Sequence, residues 1–342
     1  MADPKKIEIT TQVTTQVTTR VSVHAGTPGR KLGKVLLQTE GLTKRYGDFT
    51  ALDNLTLSVR EGEVFGYIGP NGSGKTTTFR ILCGLLDPTG GKAMIDGHDV
   101  THDKDLTKQK VGYLPDNFGV YPTLRVWEYL DFFSAAYRIP VKQRAERIDT
   151  CLTISNTMQF RDKLMGELSR GMKQRVGIAK TLLHDPQVLI LDEPAATIDP
   201  RARIQMRQLL RELANLGKAV LVSSHILPEL ADVCDSVGIL NSGKLIAYGP
   251  VQEIMRTVRQ KRLIELQMTA GADRVVAILA GAPGQWDLVT EAIEEGKMRF
   301  DVQADERQLG QALSMLLAGG VQVCSFAEVP ADLEDVFMSL TK

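Results

Sequence analysis

The sequence predicts an α/β protein built on a largely parallel sheet, followed by a smaller α+β unit. Three observations predict it. Short continuous apolar runs, bounded by turn residues, alternate with helical patterns from Val35 to about Tyr248. A glycine-rich stretch, "GPNGSGKTT" at 69–77, separates one such run from a helical pattern. After Met255 the pattern changes to the order βαββαβ.

Taken in order, the first 33 residues differ from the rest. "TTQVTTQVTT" (10–19) is a tandem polar repeat and "HAGTPGR" (24–30) has linker composition. Residues 1–33 are therefore expected to be a disordered arm, with an edge strand as the alternative for the alternating valines. "EVFGYIG" (63–69), "QVLILDE" (187–193), "KAVLVSSH" (218–225) and "DSVGILNSGK" (235–244) are expected to be buried strands. "VGYLP" (111–115) is a further strand.

Residues 117–185 break the alternation and are expected to form a helical subdomain, with "TLRVWEYLDFFSAAYRI" (123–139) as its clearest helix. Eight of the 19 aromatic residues lie between Tyr113 and Tyr137, which fits either a docking surface or the core of that subdomain. Beyond Met255 the reading is strand 262–269, helix 271–280, strands 285–291 and 297–303, helix 305–318, strand 321–328 and helix 331–340. The domains are thus 1–33, 34–254 and 255–342, the last resembling a ferredoxin-like split unit.

The chain has 342 residues with 41 basic and 41 acidic side chains, so its formal charge is zero. Nothing here points to nucleic acid or a charged membrane surface, and no nucleic-acid partner is expected. The four cysteines lack metal-ligand or disulfide spacing, which fits buried or free thiols in a reducing compartment. No stretch approaches the ~20 apolar residues of a membrane span, and the N-terminus lacks a signal peptide's apolar core. A cytosolic protein is expected; if it works at a membrane, another chain supplies the spans.

"GPNGSGKTT" matches G-x-x-x-x-G-K-[ST] and lies between a predicted strand and a predicted helix. Gly69, Asn71, Gly72, Ser73 and Gly74 let backbone N–H groups close around phosphates at a helix N-terminus. Lys75 would place a point charge on the β- and γ-phosphates, Thr76 would offer a hydroxyl to Mg2+, and Thr77 follows in the same turn. "VLILDEP" (188–194) places Asp192 at the end of a buried strand, where an acid is costly unless paired or metal-bound. Glu193, one peptide further on, is suited to polarise an attacking water. Taken alone, Asp192 could be a strand-end cap.

A P-loop and an acidic strand end are shared by many nucleotide hydrolases. "LSRGMKQR" (168–175), then "LDEP" and "SSH", in that order, resemble the ATP-binding cassette (ABC) family over about residues 35–250. The resemblance implies a P-loop NTPase cassette with an antiparallel β subdomain and a helical subdomain. It implies two cassettes packed head to tail, as a homo- or heterodimer, with ATP and Mg2+ between them. Ser169 and Gly171 would then cap the γ-phosphate held by the partner's P-loop; an isolated Ser-x-Gly turn is otherwise an ordinary helix cap. Tyr46 in "KRYGD" looks like the adenine-stacking aromatic, Asp199 in "AATIDP" like the acid of the loop across the dimer, and His225 in "SSHIL" like the histidine that contacts the γ-phosphate.

The pattern departs from the family at two places. The signature's usual form is LSGGQ, whereas Arg170 and Met172 stand here. Asp116 stands where the family usually has the glutamine that joins the metal and attacking water to the helical subdomain; an aspartate could still contact Mg2+. One cassette without spans implies an ATPase subunit bound to integral membrane permease subunits on the cytoplasmic face. Residues 116–130 would form the groove for the permease, and the C-terminal "PADLEDVFMSLTK" (330–342) resembles tails of bacterial exporter ATPases. A soluble ABC ATPase and a nucleotide sensor of low turnover are the alternatives.

Overall fold

The computed structural model describes residues 33–196, 198–224, 233–251, 253–254, 262–292 and 296–329. The expected arm (1–32 of its 33 residues), the C-terminal helix at 331–340 and His225 lie outside these residues.

Strands β1 (Val35–Tyr46) and β2 (Phe49–Arg60) form an antiparallel hairpin. With β4 (Gly90–Ile95) and the two-residue β5 (His98–Asp99) they make a four-stranded sheet of order β2-β1-β4-β5. The central sheet has six strands, in the order β10-β9-β3-β8-β7-β6. These are β3 (Val64–Ile68), β6 (Val111–Leu114), β7 (Val188–Leu191), β8 (Ala219–Ser224), β9 (Ser236–Asn241) and β10 (Lys244–Pro250). All neighbours are parallel except the β9–β10 edge pair.

The expected strand at 235–244 is corrected at its end. Ser242 and Gly243 have φ of 47° and 78°, so the chain turns there and returns as β10. Two successive positive φ values suit the twist of a two-residue hairpin, and "NSG" supplies residues that tolerate them.

The continuous apolar runs of β3, β7 and β8 follow from burial on both faces. Val64, Ile68, Leu189, Leu191, Val220 and Val222 enter one core. Their alternating neighbours Phe65, Tyr67, Val188, Ile190 and Leu221 enter another. The first core includes residues of α3 (Val126–Ala136), α4 (Val141–Ile154), α5 (Arg170–Leu182) and α6 (Pro200–Asn215). The second includes residues of α1 (Lys75–Leu82) and of the β1–β2 hairpin. The short α2 (Lys104–Lys110) precedes β6.

The predicted helix at 123–139 is shorter at both ends, as α3. Arg138 takes a left-handed φ of 60° and Pro140 follows, so the helix cannot continue. The aromatic cluster is divided between core and surface: Tyr129 is fully buried, whereas Tyr121 and Phe132 are exposed.

Residues 262–329 form the third sheet, β12-β13-β11-β14, antiparallel throughout. Its strands are β11 (Arg262–Ala270), β12 (Gln285–Ala292), β13 (Lys297–Gln303) and β14 (Gln322–Val329). The helices α7 (Ala272–Ala280) and α8 (Glu306–Ala318) share one apolar cluster with it, around Leu266, Phe300, Leu279 and Leu316. This is the predicted βαββαβ order. Among the described residues, no helix is long and apolar enough to cross a membrane.

Candidate functional site

The P-loop leaves β3 at Gly69 and enters α1 at Lys75. Gly74, the N-cap of α1, has φ of 111°, and a Cβ there would lie 2.6 Å from the Ala51 carbonyl oxygen. Only glycine meets both conditions, so this residue allows the tight turn that leads from the loop into α1. Lys75 is buried, and its Nζ donates to the Gly69 carbonyl at 2.6 Å and the Pro70 carbonyl at 3.2 Å. Nζ lies 3.7 Å from Glu193 Oε1. Burial pulls the Lys75 pKa down, and the nearby Glu193 and Asp192 oppose that shift.

Asp192 follows β7 directly. Its Oδ2 accepts from Thr76 Oγ1 at 3.3 Å and its Oδ1 from Ser223 Oγ at 2.7 Å. Burial pushes its pKa up, the Ser223 hydrogen bond pulls it down, and the adjacent Glu193 raises it. Ser223 also accepts from the Glu193 backbone N–H at 2.9 Å. One hydroxyl on β8 therefore fixes both acids, with Glu193 in a left-handed conformation of φ 51°. Sequence reasoning missed Ser223 as a site residue, although it lies in the quoted "SSH"; a serine at the end of an otherwise apolar strand was the available signal.

Thr76 and Asp192 offer hard oxygen donors side by side, the chemistry that suits Mg2+. Among the described residues no cluster of three or more His, Cys, Asp or Glu side chains could hold a metal. A cation here would complete its shell with water and phosphate, as Mg2+ does.

These groups line a cleft of about 520 Å³ with Tyr46, Asn71, Gly72, Thr77, Asp116 and Arg170. Phe49, also at its rim, was not foreseen; it pairs with Tyr46 at the hairpin tip, and both rings are exposed. Asp116 Oδ1 lies 3.6 Å from Arg170 Nη2.

Ser169, Gly171 and Asp199 are elsewhere. They line a second cleft, of about 340 Å³, with Arg175 and Arg201. Ser169 Oγ caps α5 by accepting from Met172 N at 3.3 Å, and Asp199 caps α6 by accepting from Ala202 N at 3.0 Å. A Cβ on Gly171 would lie 3.1 Å from Ala202 Cβ, so this glycine lets the first turns of the two helices meet. Arg175 was also missed; it is buried, and its Nε has no hydrogen-bond partner among the described residues.

Comparison with known proteins shows the family of the chain. Residues 52–196 match the family model described as "ABC transporter". The Nod factor export ATP-binding protein I of Ralstonia nicotianae is 32% identical over 317 residues, covering 92% of this chain and 96% of that protein. The bacitracin transport ATP-binding protein BcrA of Bacillus licheniformis is 34% identical, over 89% of this chain and 97% of its own. The probable multidrug ABC transporter ATP-binding protein YbhF of Escherichia coli is 36% identical over 67% of this chain, which spans only 39% of its length. A solved ATP-binding subunit of an ABC transporter superposes with TM-score 0.58 at 30% identity, over 65% of this chain and 92% of that one. The chain belongs to the ATP-binding subunits of ABC transporters.

Proposed function

We propose that this chain hydrolyses ATP to power a separate membrane permease, as an exporter subunit that pairs head to tail with a second ABC subunit. The observation that carries the reading is the Ser223 bridge, which fixes Asp192 and Glu193 opposite Lys75 and Thr76 at the head of α1. Tyr46 offers a stacking face for a base, and the P-loop N–H groups bind the phosphates. Thr76 and Asp192 would hold Mg2+, which would neutralise phosphate charge. Lys75 balances charge on the β- and γ-phosphates. Glu193 accepts a proton from the attacking water.

The division into two clefts supports the paired arrangement. Ser169, Gly171 and Asp199 sit apart from the chain's own P-loop cleft, where they are suited to meet a nucleotide held by another subunit. The export name of the Ralstonia relative favours export, and the protein would work peripherally on the cytoplasmic face of the membrane. Residues 116–130 would receive the permease, and residues 255–342 would tune the cassette.

Glu193→Gln tests the catalytic reading. It should retain ATP binding and lower hydrolysis by about 10²-fold or more, the scale of general-base help. Near-normal turnover in that variant would remove Glu193 from the mechanism.

A further inference from the structure

Ser169 and Arg170 are neighbours at the start of α5, yet they line different clefts. Ser169 is the N-cap, its hydroxyl held by the Met172 N–H, and it lines the cleft of Asp199 and Arg175. Arg170, the first helical residue, lines the chain's own P-loop cleft with Lys75, Asp192 and Glu193. Two contacts from one face of α5 fix that placement. Arg170 Nη2 stands 3.6 Å from Asp116 Oδ1, and the buried Gln174, one turn on, donates to the Asp116 carbonyl at 3.5 Å. Two residues before Asp116, the Leu114 carbonyl accepts from the Asp192 N–H at 2.8 Å. Arg170 therefore enters the cleft beside the Asp192–Glu193 pair, the end where the proposed function puts the terminal phosphate.

The guanidinium is under-used there. At 3.6 Å its contact with Asp116 is an ion pair without a hydrogen bond, and among the described residues the Arg170 side chain makes no other contact of either kind. Both side chains are more than half exposed, so the pair is weak and the arginine can turn its donors to a ligand at little cost. The charges in the cleft favour such a ligand only if Arg170 takes part. Without it, Lys75 alone faces Asp116, Asp192 and Glu193, one cation against three acids where a triphosphate must enter. Arginine adds a planar fork of donors that fits two phosphate oxygens at once.

We infer that Arg170 binds the γ-phosphate of the nucleotide held by its own chain, with Asp116 keeping the guanidinium in the cleft until the phosphate arrives. This rests on the reading that the chain is an ATPase working in a head-to-tail pair. It assigns adjacent residues to different nucleotides, Ser169 to the partner's and Arg170 to its own. It also makes Arg170 a residue that distinguishes ATP from ADP.

Equilibrium binding of MgATP and MgADP to the full chain is the first test. Arg170→Met should weaken MgATP binding by about tenfold, the scale of one hydrogen bond to a charged group. MgADP binding should stay at the wild-type level, which also establishes that the variant is folded. Arg170→Lys, which keeps the charge, should recover most of the loss. Equal losses for the two nucleotides, or no loss, overturn the inference. The second test uses defined heterodimers with Lys75→Ala in one subunit and reads MgATP affinity at the P-loop that keeps its lysine. With Arg170→Met in the same subunit as Lys75→Ala, that site should bind as in the wild type. With Arg170→Met in the other subunit, it should bind about tenfold more weakly. The reverse result assigns Arg170 to the partner's nucleotide and overturns the inference. If no dimer forms, the head-to-tail reading fails and the single-chain measurement decides the inference. A wild-type chain that binds no MgATP overturns the ATPase reading itself, and this inference with it.

Discussion

Arg170 Nη2 and Asp116 Oδ1 face each other at 3.6 Å within one chain. These are two positions where the sequence departs from its family's pattern, so the added acid and the added base balance one another beside the P-loop cleft. Gln174 Nε2 also donates to the Asp116 backbone carbonyl at 3.5 Å, which ties the loop after β6 to α5. Both side chains of the pair are more than half exposed, so its worth to stability is at most about 1 kcal/mol.

Asp116→Gln should therefore change thermal stability little. It should change the nucleotide site more, because Arg170 is left without its acid next to an anionic ligand. ATP affinity should depend less steeply on Mg2+ in the variant than in the wild type. Titration of nucleotide binding against Mg2+ in both proteins measures this, and superimposed curves would mean that the Asp116 carboxylate does not reach the metal.

Ser223→Ala should reduce Mg2+-dependent hydrolysis by roughly tenfold, the cost of losing a residue that orients a metal ligand. The pH dependence follows in sign. Burial already raises the Asp192 pKa, and the Ser223 hydrogen bond pulls it down. Mg2+ needs the ionised carboxylate, so MgATP affinity falls as pH drops through that pKa. Without the serine the fall begins at higher pH. Binding profiles with unchanged midpoints would argue that the hydroxyl only orients Glu193.

Ser169 should act on the nucleotide of a second subunit. In a heterodimer with Ser169→Arg in one subunit and Lys75→Ala in the other, both lesions fall in one composite site and the second stays intact. Placing both changes in the same subunit damages both sites. ATPase activity should therefore survive only in the first arrangement, and equal activities would leave Ser169 as a local cap of α5.

A chain truncated after Ile254 should still bind MgATP, because residues 262–329 carry their own apolar cluster and no residue of the P-loop cleft. Equilibrium binding to the truncated chain, with circular dichroism to confirm folding, checks this. Loss of binding in a folded product would show that the last unit completes the nucleotide site.

The sequence by itself determined the local elements. The P-loop was legible because a strand, a set of glycines and a helix start are contiguous, and their geometry is set within a few residues. The βαββαβ order after Met255 was legible for the same reason, since each element buries one periodic face. The hairpin turn inside 235–244 was passed over because an apolar run on both sides masks a two-residue reversal. Tertiary structure decided which distant residues meet. Residues 76, 192 and 223 lie on α1, after β7 and on β8, and strand order alone brings them together. The separation of Ser169 and Asp199 from the P-loop cleft, and the pairing of Arg170 with Asp116, likewise depend on where α5 and α6 pack against the sheet. Side-chain contacts between elements far apart in the chain leave no spacing to read, because packing of the whole core sets them.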